Sequence, residues 1–108
     1  MKKIIFGILV FGLINLVANN DVEQKCNDGD PISCRKAADK YYDKQTNPND
    51  PKAYEFYKKG CELNDDNCCL GAGLRAEKNN NIEQAKNYYK KACKLGEPLS
   101  CSKLKKLN

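Results

Sequence analysis

Six cysteines fall into three pairs of one spacing: Cys26 and Cys34, Cys61 and Cys69, and Cys93 and Cys101 each enclose seven residues. Successive pairs are offset by 35 and then 32 residues. The sequence around the frame repeats too, since AYEFYKKGCEL (Ala53 to Leu63) aligns with AKNYYKKACKL (Ala85 to Leu95). A period of this length with a recurring amphipathic run is the signature of stacked helix pairs. The expected fold class is therefore all-α, a short solenoid of antiparallel helix pairs.

Local signals support helices in both halves of the period. Asp50 as N-cap and Pro51 behind it open one tyrosine-bearing helix, with Ala53, Phe56, Tyr57, Gly60 and Leu63 at helical spacing. Asn81 with Gln84 opens the other like a capping box, with Ile82, Ala85, Tyr88, Tyr89, Ala92 and Leu95 on one face. Between them, shorter helices begin near Pro31 after Asp30, near Asn67 after Asp66, and near Pro98 after Gly96. Their inner stripes are small (Cys34, Ala37, Ala38, Tyr41; Cys69, Ala72, Gly73, Ala76), so neighbouring helices can approach closely. Val22 to Cys26 reads as a helical stub at the N-terminal end.

Each cysteine pair then joins the end of one helix to the first turn of the next. A short corner between antiparallel helices brings such positions within the roughly 4.4–6.8 Å of Cα separation that a disulfide accepts. The expected bridges are Cys26–Cys34, Cys61–Cys69 and Cys93–Cys101. A nine-residue loop closed in this way contributes about 2.6 kcal/mol in the chain-entropy model. Three are comparable to the whole stability of a small domain, and they are needed. Residues 19–108 contain only eleven Val, Ile, Leu and Phe. Cys68 is the odd cysteine, standing where the other frames have Ser33 and Ser100. It can compete for Cys61, link two chains, or remain a thiol.

The N-terminal residues have a different character. Lys2 and Lys3 precede an apolar run from Ile4 to Val17, and Ala18 follows at a spacing signal peptidases accept, so residues 1–18 are expected to be a cleaved secretory signal. The apolar run is 14 residues, short of a membrane span. Residues 19–108 form the expected repeat domain, about two and a half repeats, in a secreted or periplasmic setting suited to disulfides. Their 17 basic and 14 acidic side chains are interspersed, so no basic stripe points to nucleic acid, and the membrane is met only through the signal before cleavage.

The chain has no His and no Trp. That removes Ser-His-Asp and Cys-His catalysis and every His-containing zinc site. The cysteine spacing fits no zinc cluster, so no metal or other cofactor is expected. The pattern A-x-x-[FY]-Y-K-K-x-C, followed by an acidic or Gly-bearing loop and Cys69-Leu70-Gly71, resembles Sel-like repeats. The seven-residue cysteine frame resembles, within them, the secreted Helicobacter cysteine-rich protein family, from about Cys26 to Leu107. That resemblance implies a right-handed solenoid related to tetratricopeptide repeats. Its members are commonly labelled β-lactamases or penicillin-binding proteins, and such repeats elsewhere serve mostly as protein-interaction scaffolds. The repeats here are shorter and fewer than the family's, leaving less concave surface.

The enzyme label has a chemical test. Serine β-lactamases use S-x-x-K, and the chain has two copies, Ser33 to Lys36 and Ser100 to Lys103. Both occupy one frame of the repeat, and S-D-N and K-T-G elements are absent, so a structural consensus explains them better: hydroxyls at helix starts and exposed lysines. No catalytic residue is assigned. The six tyrosines, Tyr41, Tyr42, Tyr54, Tyr57, Tyr88 and Tyr89, are expected to be mostly core in place of scarce Leu and Ile, the remainder forming contact surface. Arg35, Lys36, Leu74 and Arg75 are candidates for that surface. The expected role is a protein-interaction module binding a protein or peptide. A weak β-lactamase or penicillin-binding protein acting on a β-lactam or cell-wall fragment is the alternative, and a secreted effector or inhibitor the third.

Overall fold

The computed structural model describes residues 21–42 and 50–108. The expected signal segment, residues 1–18, lies outside the described residues. Those described form six α-helices and no strand: α1 (Asp21–Asn27), α2 (Pro31–Tyr41), α3 (Pro51–Glu62), α4 (Asp66–Lys78), α5 (Ile82–Lys94) and α6 (Pro98–Leu107). The stub, the two tyrosine-bearing helices and the three small-residue helices correspond to α1, to α3 and α5, and to α2, α4 and α6.

Four tight corners share one backbone device. Gly29, Asn64, Asn80 and Gly96 have positive φ, the left-handed conformation that ends a helix and that Gly and Asn tolerate best. At the first corner the Gly29 amide donates to the Cys26 carbonyl and the Asp30 amide to the Lys25 carbonyl, both at 3.0 Å. The same two bonds recur at Asn64/Asp65, Asn80/Asn81 and Gly96/Glu97. The second donor of each pair is already the N-cap of the next helix. Chain reversal thus takes very few residues. In three of these corners the carbonyl three residues before the left-handed position belongs to a cysteine, and the fourth residue of the next helix is its partner. Cys26–Cys34, Cys61–Cys69 and Cys93–Cys101 close there with Cα separations of 4.5, 4.4 and 4.8 Å. The Asn80 corner has Glu77 and Ala85 in those places and no bridge.

Consecutive helices run antiparallel. While Cys26–Cys34 ties one end of the α1–α2 pair, Glu23 at the other end accepts from the Tyr41 hydroxyl at 2.8 Å and the Lys40 ammonium at 3.1 Å. Helices two apart in the chain also touch. Lys59 donates to Asn27 at 2.7 Å between α3 and α1, and Tyr54 donates to Gln84 at 3.2 Å between α3 and α5. Arg35 pairs with Asp65 at 3.6 Å between α2 and the cap of α4, and Lys103 with Glu77 at 4.0 Å between α6 and α4.

The core is made of small side chains and sulfur. Ala37, Ala38, Ala53, Ala72, Ala76, Ala85 and Ala92 are closed to solvent, as are Cys34, Cys68 and Cys69. Of the eleven aliphatic and Phe residues, Phe56 alone is buried. Tyr89 supplies the largest fully buried side chain. Glycine makes room for the aromatics: a Cβ on Gly71 would lie 2.6 Å from the Tyr57 ring, and one on Gly73 2.5 Å from the Tyr89 ring.

Several expectations need correction. Leu63, Leu95 and Ile82 do not complete the inner stripes but are exposed, because Leu63 and Leu95 are C-caps and Ile82 opens its helix, beyond the turns that meet a neighbour. Helix α4 starts one residue earlier than expected, since the Asp65 carboxylate, not Asp66, accepts the Cys68 amide at 2.9 Å. Helix α6 is capped by Glu97, which accepts the Ser100 amide at 2.6 Å. Of the tyrosines only Tyr89 is fully buried; Tyr41, Tyr54, Tyr57 and Tyr88 are partly buried and Tyr42 is exposed.

Candidate functional site

Two adjoining basins form one groove across α2, α4 and α6. The larger, about 460 Å³, lies between Tyr42 at the end of α2, Tyr57 from α3, Leu74, Arg75 and Lys78 on α4, and Lys103 on α6. The second, about 370 Å³, continues from Tyr57, Gly71 and Leu74 to Arg35 and Asp39 on α2 and to Asn67 and Leu70 on α4. Tyr57 is the shared floor. It reaches the groove because Gly71 has no side chain to block it, and its hydroxyl donates to Asp39 at 2.9 Å. Burial, and secondarily the Asp39 carboxylate, pushes the Tyr57 hydroxyl well above its ordinary pKa, so it stays a donor.

The walls are set by packing. Arg75 is buried, and its guanidinium lies 4.5 Å from the centroid of the Tyr42 ring, a cation–π contact that braces the exposed aromatic. Leu74, one residue earlier, is 40% exposed on the groove side. Glu77 accepts from the Tyr89 hydroxyl at 2.6 Å and faces Lys103, whose ammonium lies 6.0 Å from the Tyr89 ring centroid. These contacts tie α4, α5 and α6 together at the groove's end.

Three of the four surface candidates, Arg35, Leu74 and Arg75, line the groove. Lys36 is exposed outside both basins. Asp39, Asn67, Leu70, Gly71, Glu77, Lys78 and Lys103 were missed as groove residues. Only the helical spacing of Asn67, Leu70, Gly71, Leu74 and Lys78 along α4 carried a signal for part of that set.

The S-x-x-K positions are structural in their surroundings. Ser33 is 5% exposed and its hydroxyl donates to Asp30 at 2.6 Å, while Ser100 is fully buried. Both are third residues of their helices. Lys36 is exposed as expected, but Lys103 is half-buried through its approach to Glu77 and Tyr89. Cys68, in the same frame, is a buried free thiol. Burial, reinforced by Asp65, raises its pKa far above the ordinary thiol value, which suppresses the reactive thiolate.

Compared with protein-family models, curated proteins and solved structures, the chain matches none. Three disulfides point to an oxidising, extracellular-type compartment. Among the described residues no helix is long and apolar enough to cross a membrane.

Proposed function

We propose that this chain is a secreted or periplasmic protein-interaction module, built as a short right-handed solenoid of Sel-like helix pairs. Contacts between helices two apart, repeated for every such pair along the chain, support the solenoid. The observation that carries the function is the groove across α2, α4 and α6, with apolar Leu74 left in solvent beside two tyrosines. The groove joins Leu74 to Tyr42, Tyr57, Arg35 and Arg75, and partner surfaces are enriched in Tyr and Arg.

The test is a photocrosslinking residue at position 74, with position 90 on α5 as the control. In cells making the oxidised protein, a discrete adduct from position 74 and none from position 90 is the expected result. Equal adducts from both, or none from position 74, would count against the groove. The second reading, a weak β-lactamase, rests on the family resemblance alone, since Ser33 and Ser100 are both buried. Its test is hydrolysis of a chromogenic cephalosporin that disappears in a Ser33→Ala plus Ser100→Ala variant.

A further inference from the structure

We infer that the groove takes an extended acidic polypeptide segment carrying large apolar side chains. The inference rests on the interaction-module reading and names the partner's chemistry. Helices pack about 8–10 Å apart, so a groove crossing three of them spans roughly 20 Å, and an extended chain rising about 3.3 Å per residue fills it with about six residues. A small molecule would occupy one basin; the continuity through Tyr57, Gly71 and Leu74 suits a strand.

Charge selects the sign. The groove is lined by Arg35, Arg75, Lys78 and Lys103 against Asp39 and Glu77, a net charge of +2. Both acids are engaged from within, Asp39 by the Tyr57 hydroxyl and Glu77 by the Tyr89 hydroxyl and Lys103, and so are three of the cations: Lys103 by Glu77, Arg35 by Asp65, and buried Arg75 by the Tyr42 ring. Lys78 is exposed and has no ion-pair partner among the described residues, so its charge is available to a ligand carboxylate. The apolar component follows from Leu74 and Tyr42, 40% and 39% exposed on the walls of the same basin. Side chains alternate along an extended strand, so carboxylates and apolar groups can be presented at different points of the groove.

The experiment uses the oxidised protein and three fluorescent eight-residue probes read by anisotropy: alternating Glu and Phe, alternating Lys and Phe, and Glu alone. The expected result is that the Glu-Phe peptide binds at least about tenfold tighter than the other two, a difference of about 1.4 kcal/mol. Lys78→Glu should weaken it about tenfold, and Leu74→Ala by several-fold. Lys90→Glu, on α5 away from the groove, should change it less than about twofold, screened by salt as a distant surface charge is. Circular dichroism and the intact mass of each variant establish that all are folded and bridged.

Equal binding of the Glu-only peptide, with Lys90→Glu as harmful as Lys78→Glu, would reveal general surface charge and overturn the inference. Equal or tighter binding of the Lys-Phe peptide, still sensitive to Leu74→Ala, would overturn the acidic partner while leaving an interaction groove. No binding of any probe at about 1 mM, the range of very weak association, would overturn it as well. The crosslink from position 74 judges the broader reading separately.

Discussion

The Tyr89 ring lies directly against the backbone of Gly73, where an added Cβ would sit 2.5 Å from its Cε1. The ring is fully buried and its hydroxyl is held by Glu77, so it has no free path aside. Alanine favours a helix interior over glycine by about 1 kcal/mol. Forcing a methyl into a packed core costs about 1–3 kcal/mol. Overpacking wins, and Gly73→Ala should lower the thermal midpoint. A midpoint equal to or above the parent's would show that the helices separate easily at this contact.

The three disulfides should not be equally accessible to reductant. Cys26, Cys34, Cys61 and Cys69 are buried, whereas Cys93 and Cys101 are partly exposed. Graded reduction, quenched with an alkylating agent and mapped by peptide mass, should yield first the species labelled at Cys93 and Cys101. Full reduction removes about 2.6 kcal/mol per bridge and should abolish most of the helical circular dichroism.

Cys68 should be silent in the native protein. Its side chain is fully buried and its thiol pKa is raised, so a thiol reagent at neutral pH should label nothing until denaturant is added, and then one site. A non-reducing gel should show a monomer. A Cys68-dependent dimer band would mean that this thiol reaches the surface.

Alkali should unfold the protein earlier than its helices alone would suggest. Burial is the largest cause of raised pKa values at Tyr57, Tyr88, Tyr89 and Cys68, with Tyr88 pushed up to about 12. A group whose pKa rises on folding holds its proton more tightly in the folded state. Its stabilisation is complete below the unfolded value, about 8.5 for Cys and 10 for Tyr, and is lost as pH climbs towards the folded value. Urea midpoints should therefore be level from about pH 6 to 8 and fall above about pH 9. Cys68→Ala should move the onset towards pH 10, where tyrosine takes over.

Much of the architecture was legible because it is local. The helix starts behind Asp30, Asp50 and Asn81 and the cysteine frame each involve residues within about a dozen positions of one another. Local backbone chemistry fixes such features with little help from the rest of the chain. Asp66 shows where that legibility fails: two adjacent aspartates are equal as letters, and only the hydrogen bond from Cys68 N to Asp65 distinguishes them. Leu63 and Leu95 show another failure, since helical spacing continues into a cap while the neighbouring helix does not.

Three quantities were set by the chain alone: a period of 35 and 32 residues, cysteines repeating within it, and too few large aliphatics for an ordinary core. They already demand close-packed, stapled helices. Tertiary structure decided which side chains became groove and which became core, because that depends on contacts between residues far apart in sequence. Tyr57 reaches the groove only because Gly71, on another helix, leaves the space open. Arg75 is buried beneath Tyr42, while Leu74 beside it faces solvent. No local propensity distinguishes those outcomes; the geometry of three helices brought side by side does.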